Sequence, residues 1–202
     1  RYFPELVEAL QANLPERVVL DGEVVVVVGE PGAQRLDWDV LAQRIHPAES
    51  RINRLAAETP ASFIAFDLLA LGEESLLEAP LAERRAGLEQ LFSDGAGGER
   101  VLLSRVTRDR DEAQDWFTRF EGAGLDGVIA KPVDGAYQPG KRVLRKLKHS
   151  RTAEAVVIGY RIHKSGQGVG SLLLGLYRED GTLVQVGGAS AFSNARRLEL
   201  ID

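Results

Sequence analysis

The sequence predicts an α+β domain followed by a smaller all-β unit, and three observations carry that prediction. Up to about residue 150, strand-like runs and helical stripes alternate without the regular βαβ repeat of a parallel-sheet fold. After His149–Thr152, three strand-like runs follow one another with no helical stripe between them. The 202 residues are 44% apolar and 27% charged, a globular profile long enough for one large domain or for a domain with a smaller companion.

Taken in order, Pro4–Leu14 has apolar residues at 6, 7, 10 and 14, a helical stripe opened by proline. Arg17–Val28 is a long strand, interrupted by Asp21 and Glu23 and ended by the turn-rich GEPGAQ. Asp37–Ile45 and Ala48–Glu58 read as short helices on either side of His46–Pro47. Ser62–Leu71 is a strand, Leu81–Phe92 a helix behind Pro80, and SDGAGGE (93–99) a loop. Val101–Val106 is a strand, and Asp109–Gly122 a helix expected to turn Trp116, Phe117 and Phe120 inward. Trp38, on a helical stripe, is likewise most simply a core residue. Gly127–Lys131 is a strand, PVDGAYQPG a loop, and 142–148 a basic strand. Ala155–Ile162, Ser171–Tyr177 and Leu183–Gly187 are strands joined by KSGQGVG and REDG. They read as the start of a Greek-key barrel of the OB type, which takes about five strands where only three are seen. The expected division is 1–150 and 151–202, with both units truncated.

Composition excludes several classes. No run of about 18 apolar residues exists, so a helical membrane span is excluded. Cysteine is absent, which removes disulfides and thiolate metal ligands. Methionine is absent too, so Arg1 is not expected to be a native start, and the chain is expected to be a fragment. Net charge is −5 but uneven: residues 1–130 carry 13 Lys/Arg against 24 Asp/Glu, whereas residues 131–151 carry seven against one. That basic block is either a solvated surface loop or the footprint of a polyanion partner.

Candidate chemistry lies in LDGEVVV (20–26), FIAFDLL (63–69), LDGVIAK (125–131) and RKLKH (145–149), each coupling charge to a strand-like run. Charges are costly to desolvate there, so they sit at strand ends or face a ligand. Asp21 and Glu23 stand two apart and share a face, where they invite a cation or a sugar hydroxyl; otherwise the site is a β-bulge with one solvated acid. Gly22 between them is expected to let a ligand approach the backbone. Asp126 repeats the D-G-apolar pattern, and Glu23 with Asp126 is the candidate pair for Mg²⁺, which takes one or two carboxylates plus phosphate oxygens. Lys146 and Lys148 share a strand face and Lys131 closes the strand after Asp126: phosphate-binding point charges, or solvated surface. Strict alternation puts Phe66 on one face with Ile64 and Leu68, either in the core or against a ligand, and Asp67 is free to hold a neighbouring arginine. KSGQGVGS lacks the order of a phosphate loop and reads as a hairpin turn; His46, His149 and His163 have no metal-ligand spacing.

In their order and separation, LDGE, FIAFDLL, LDGVIAK and KLK resemble the nucleotide-binding motifs of ATP-dependent DNA ligases, which belong to the covalent nucleotidyltransferases. The connecting text, including RYFPEL, QRIHPAESR, TPASFIAFDLLALG, YQPGKRV and RTAEAVVIGYRIHKSG, is similar to the small bacterial ligase C enzymes almost end to end. The resemblance implies an adenylation domain, then an OB domain hinged just past the last motif. It also implies ATP as substrate, AMP as a covalent intermediate, Mg²⁺ or Mn²⁺, and nicked double-stranded DNA as partner. A monomer in the bacterial cytoplasm, associated with the nucleoid through DNA, is implied as well.

By position the resemblance places Glu23 near ribose and metal, Phe66 on adenine, Asp126 on the metal, and Lys146 and Lys148 on the α-phosphate. Asp21, Lys131 and Arg142 fall within the nucleotide-binding set. None of the five lysines sits in K-x-D-G-x-R, the setting of the family nucleophile, so this fragment alone is not expected to adenylate itself. Two alternatives stay open: an RNA ligase or capping-type enzyme, and a non-catalytic nucleic-acid-binding relative.

Overall fold

In the computed structural model, which describes residues 1–201, the chain divides into two units, Arg1–His149 and the residues from Ser150 onward. A mixed sheet organises the first. Its long strand β1 (Val18–Val28) pairs antiparallel with the short β2 (Arg35–Leu36) and, on its other side, with β3 (Ala61–Leu71). Two short strands join β3: β4 (Glu74–Ser75) antiparallel at Ala70–Leu71, and β5 (Val101–Leu103) parallel at Phe63–Ala65. A separate antiparallel ribbon pairs β6 (Gly127–Ala130) with β7 (Arg145–Lys148).

Five helices accompany these strands: α1 (Pro4–Asn13), α2 (Trp38–Gln43), α3 (Glu49–Glu58), α4 (Leu81–Ser93) and α5 (Arg110–Arg119). Asp37 caps α2 by accepting the Asp39 and Val40 amides, and Asp109 caps α5 through those of Asp111 and Glu112. The core has two clusters. Leu6 of α1 packs with Val26 and Ala61, and Leu88 of α4 packs with Ala65 and Leu68 of β3.

The long strands are not regular. Asp21 faces Asp67 while Gly22 faces Ala65, leaving Phe66 unpaired in a bulge; a second irregularity leaves out Leu69. Alternation therefore fails where it was expected to hold. Ala65 and Leu68 share a core cluster, and Phe66 is only partly buried outside both clusters. Gly22 also differs from expectation. A Cβ there would stand 2.2 Å from the Phe63 ring and 2.6 Å from the Ile64 carbonyl, so what approaches this backbone is β3.

Other expectations shift at their edges. The basic strand begins only at Arg145, with 142–144 a loop before it, and the 101–106 strand ends at Leu103. The 109–122 helix stops at Arg119 and resumes as a 3₁₀ turn, Glu121–Ala123. Its aromatic residues are partly buried, none of them fully. Trp38 is 47% exposed, and its indole N–H donates to the Gly124 carbonyl at 3.3 Å rather than entering the core.

The second unit is rich in sheet. β8 (Val156–Ile162), β9 (Val169–Tyr177) and β10 (Leu183–Ala189) form an antiparallel sheet in the order β10–β9–β8. The KSGQGVG segment is the β8–β9 turn, closed by the Gly166 amide on the His163 carbonyl at 2.8 Å. A short helix, α6 (Asn194–Glu199), begins at Ser193, whose hydroxyl accepts the Arg196 amide. Sequence periodicity missed it because six residues are too few to show a helical stripe. Among the described residues, no helix is long and apolar enough to cross a membrane.

Candidate functional site

Two carboxylates, Asp21 on β1 and Asp67 on β3, face each other directly across the ladder. Opposed like charges on one face destabilise a sheet unless each finds a partner. Asp67, which is 2% exposed, is held by the Arg84 guanidinium of α4, with Nε at 2.8 Å from Oδ1 and Nη2 at 3.1 Å from Oδ2. Arg84 also donates to the carbonyls of Ala79 and Gly135 at 2.6 and 3.1 Å. Asp21 accepts the Tyr137 hydroxyl at 2.9 Å on Oδ2. That bond, with some burial, pushes the Tyr137 phenol above its usual range and keeps it a donor.

Lys131, just past β6, lies beside both acids. Its ammonium is 4.2 Å from the centroid of the Phe66 ring, a cation–π contact. Burial pushes Lys131 below the usual lysine value, although the Asp67 and Asp21 carboxylates oppose that shift. A cleft of about 410 Å³ opens here, lined among others by Asp21, Asp67, Arg84, Lys131, Tyr137 and Lys141. A larger apolar hollow of about 760 Å³, lined by Leu10, Leu14, Val18, Leu20 and Phe63, contains none of the candidate residues.

The β6–β7 ribbon carries a second group. Lys148 forms an ion pair with Asp126, and that bond holds the Asp126 carboxyl below its usual value. Lys146 lies opposite Ile129 and, two residues from Lys148, on the same strand face. The strand end is fixed by His149, whose amide donates to the Asp126 carbonyl at 3.2 Å. Its ring stacks on Phe117 at 3.7 Å between centroids and donates through Nε2 to the Phe117 carbonyl at 2.7 Å.

The structure thus brings Asp21, Phe66 and Lys131 into one neighbourhood, and Asp126 with Lys148 into another. Glu23 is exposed on β1, where its backbone pairs with Ile64, and its side chain forms no hydrogen bond or ion pair among the described residues. Arg142 is exposed in the 142–144 loop, between Lys141 and Val143, which both line the cleft. No group of three or more His, Cys, Asp or Glu converges as a metal cage among the described residues. Arg84 and Tyr137 escaped sequence reading. Asp67 pointed to some arginine, and the inward stripe of α4 (Arg84 one turn before Leu88) would have named it; Tyr137 gave no local signal.

Residues 1–148 match the ATP dependent DNA ligase domain. The chain is 54% identical over 201 residues to DNA ligase C1 of Mycolicibacterium smegmatis, covering 100% of this chain and 57% of that protein. It is 55% identical over 205 residues to DNA ligase C of Mycobacterium tuberculosis, covering 100% and 56%. The crystal structure of the ligase domain from M. tuberculosis LigD is 32% identical, covers 91% of this chain and 54% of that one, and superposes with a TM-score of 0.46. The chain spans a little over half the length of these two relatives. With its first 148 residues matched throughout, the chain belongs to the ATP-dependent DNA ligase domain family.

Proposed function

We propose that the protein is an ATP-dependent DNA ligase that seals nicks through enzyme–AMP and DNA-adenylate intermediates, in DNA repair. The observation that carries this reading is the Lys131 ammonium over the Phe66 ring, beside the opposed Asp21 and Asp67 carboxylates. An aromatic face, a cation and acceptor oxygens are what a purine nucleotide needs for stacking, charge and ribose contact. Phe66 then stacks on adenine, Asp21 and Glu23 accept from the sugar, and Lys131, Lys146 and Lys148 neutralise phosphate oxygens. Arg142 extends that basic surface toward the DNA backbone. Phosphoryl transfer depends mainly on positioning and charge neutralisation, which is work that such residues perform.

Glu23 and Asp126 are the residues to hold Mg²⁺ or Mn²⁺. Both present exposed carboxylate oxygens, a hard donor set suited to an ion that completes its shell with phosphate and water. When bound, the ion neutralises phosphate charge. Residues 1–150 are read as the adenylation domain and 151–202 as the start of an OB-type domain. The protein is read as a monomer of the bacterial cytoplasm that meets the nucleoid through DNA. Incubating the full-length protein with α-labelled ATP and Mg²⁺, then with a nicked duplex, tests this. Covalent label on the protein, its transfer to the 5′-phosphate and a sealed strand are expected. A protein that takes no label from ATP overturns the reading, and preferential labelling from GTP moves it to capping chemistry.

A further inference from the structure

The geometry points to Tyr137 as a positioning residue: its hydroxyl fixes the Asp21 carboxylate so that the other oxygen faces the cleft as a nucleotide acceptor. The inference rests on the nucleotide-site reading above. Asp21 and Asp67 repel each other across β1 and β3, and the two are restrained differently. Asp67 is locked by two bonds from Arg84, whereas Asp21 has one neutral donor, Tyr137, on Oδ2. Among the described residues nothing donates to Asp21 Oδ1, although Asp21 lines the cleft. A neutral donor suits this task, because it sets the carboxylate's direction without cancelling the charge beside Lys131.

Tyr137 is itself held. Its amide donates to the Leu77 carbonyl at 2.8 Å, and the Leu81 and Ala82 amides at the start of α4 bind the carbonyls of Gly135 and Val133 at 3.0 and 2.8 Å. Arg84 binds the same Gly135 carbonyl at 3.1 Å, with its guanidinium carbon 5.8 Å from the Tyr137 ring centroid. The loop between β6 and β7 is therefore pinned to α4, and Tyr137 reaches back across 116 residues to β1. The raised phenol keeps the donor intact through neutral and mildly alkaline pH.

A double-mutant cycle in the full-length protein, reading covalent AMP formation, tests this. Tyr137→Phe keeps the ring and loses only the hydroxyl. It should raise KM for ATP about tenfold and leave kcat within about twofold, as expected for a lost bond that orients a binding group. In an Asp21→Ala background, which removes the acceptor, Tyr137→Phe should have no further effect. Equal effects of Tyr137→Phe in both backgrounds, or none in either, overturn the inference and leave the ligase reading standing. Failure of the unsubstituted protein to take AMP overturns both.

Discussion

Lys148 on β7 is paired with Asp126, the acid just before β6, so the residue assigned to phosphate and the one assigned to the metal ion neutralise each other. The pair is open to solvent, with Asp126 70% and Lys148 55% exposed. Such a pair is worth about 1 kcal/mol or less, so a phosphate at Lys148 or a cation at Asp126 can displace the partner at small cost. Asp126→Asn and Lys148→Met should each slow AMP transfer to the protein by about 100-fold or more. Neither should lower Tm by more than about 4 °C. Labelled-ATP kinetics beside a thermal melt separate the two effects; a large loss of Tm would make the pair structural instead.

The pairing also has an acid limb. The Lys148 hydrogen bond depresses Asp126, so its contribution is complete above the usual carboxylate value of 3.8 and disappears as pH falls through the lowered one. Metal-dependent labelling should be insensitive to Asp126 titration between pH 5 and 8, roughly the range well above both values. A labelling profile in that range whose acid limb vanishes in Asp126→Asn would contradict this.

DNA binding by the 141–148 segment should be strongly electrostatic. Lys141, Arg142, Arg145, Lys146 and Lys148 are all exposed there. If each meets a phosphate, affinity for a nicked duplex should fall about 500-fold between 50 and 200 mM salt. Arg142→Ala should reduce the log–log salt slope by about one without changing sequence preference. Fluorescence anisotropy across a salt series gives that slope, and an unchanged slope would remove Arg142 from the interface.

Arg44 shows what the sequence leaves unmarked. Its side chain is fully buried, binding Glu5 at 2.8 and 3.0 Å and the carbonyls of Thr59 and Tyr2 at 2.8 and 3.1 Å. Burial pushes the Glu5 carboxyl up, but hydrogen bonds from Arg44 and the Ala61 amide outweigh it and hold it below 4.5. This stabilisation is present above that value and is lost as pH falls through the depressed one. Arg44→Met strands Glu5 and should cost about 3 kcal/mol or more, a fall in Tm of roughly 6 to 12 °C. Glu5→Gln should flatten the acid limb of a Tm–pH curve; a Tm unchanged in Arg44→Met would show that the clamp is dispensable.

Local pattern sufficed for most elements of the first unit, because proline starts, aspartate caps and apolar runs act within a few residues. It failed where one residue is added to a strand. The bulge at Phe66 breaks alternation, moving that ring out of the Leu68 cluster, and nothing in FIAFDLL marks it. The site followed the same rule. Asp21, Asp126 and Lys148 stood out as charges beside apolar runs, but Arg84 and Tyr137 act on acids 17 and 116 residues away. Arg44 carries no local mark of burial, because its partners, Glu5 and Thr59, lie 39 and 15 residues away.

Gly127 offers the sharpest separation of site from scaffold. It follows Asp126, pairs with Lys148, and has a φ of +153°, where L side chains are rare. A Cβ there would lie 1.9 Å from the Leu147 carbonyl oxygen and 2.9 Å from the Lys148 Cα, so alanine must part β6 from β7. Neither core cluster touches this ribbon. Gly127→Ala should therefore displace Lys146 and Lys148 and reduce AMP transfer by about 100-fold, the effect of roughly an ångström of misplacement. The stability loss should stay within about 1–3 kcal/mol. Gly122→Ala is the control: no atom lies within 4 Å of its Cβ and its φ is ordinary, so activity and Tm should both hold. If Gly127→Ala keeps full activity, the ribbon's register does not set the lysines. If it melts the whole first unit, the ribbon is part of the scaffold.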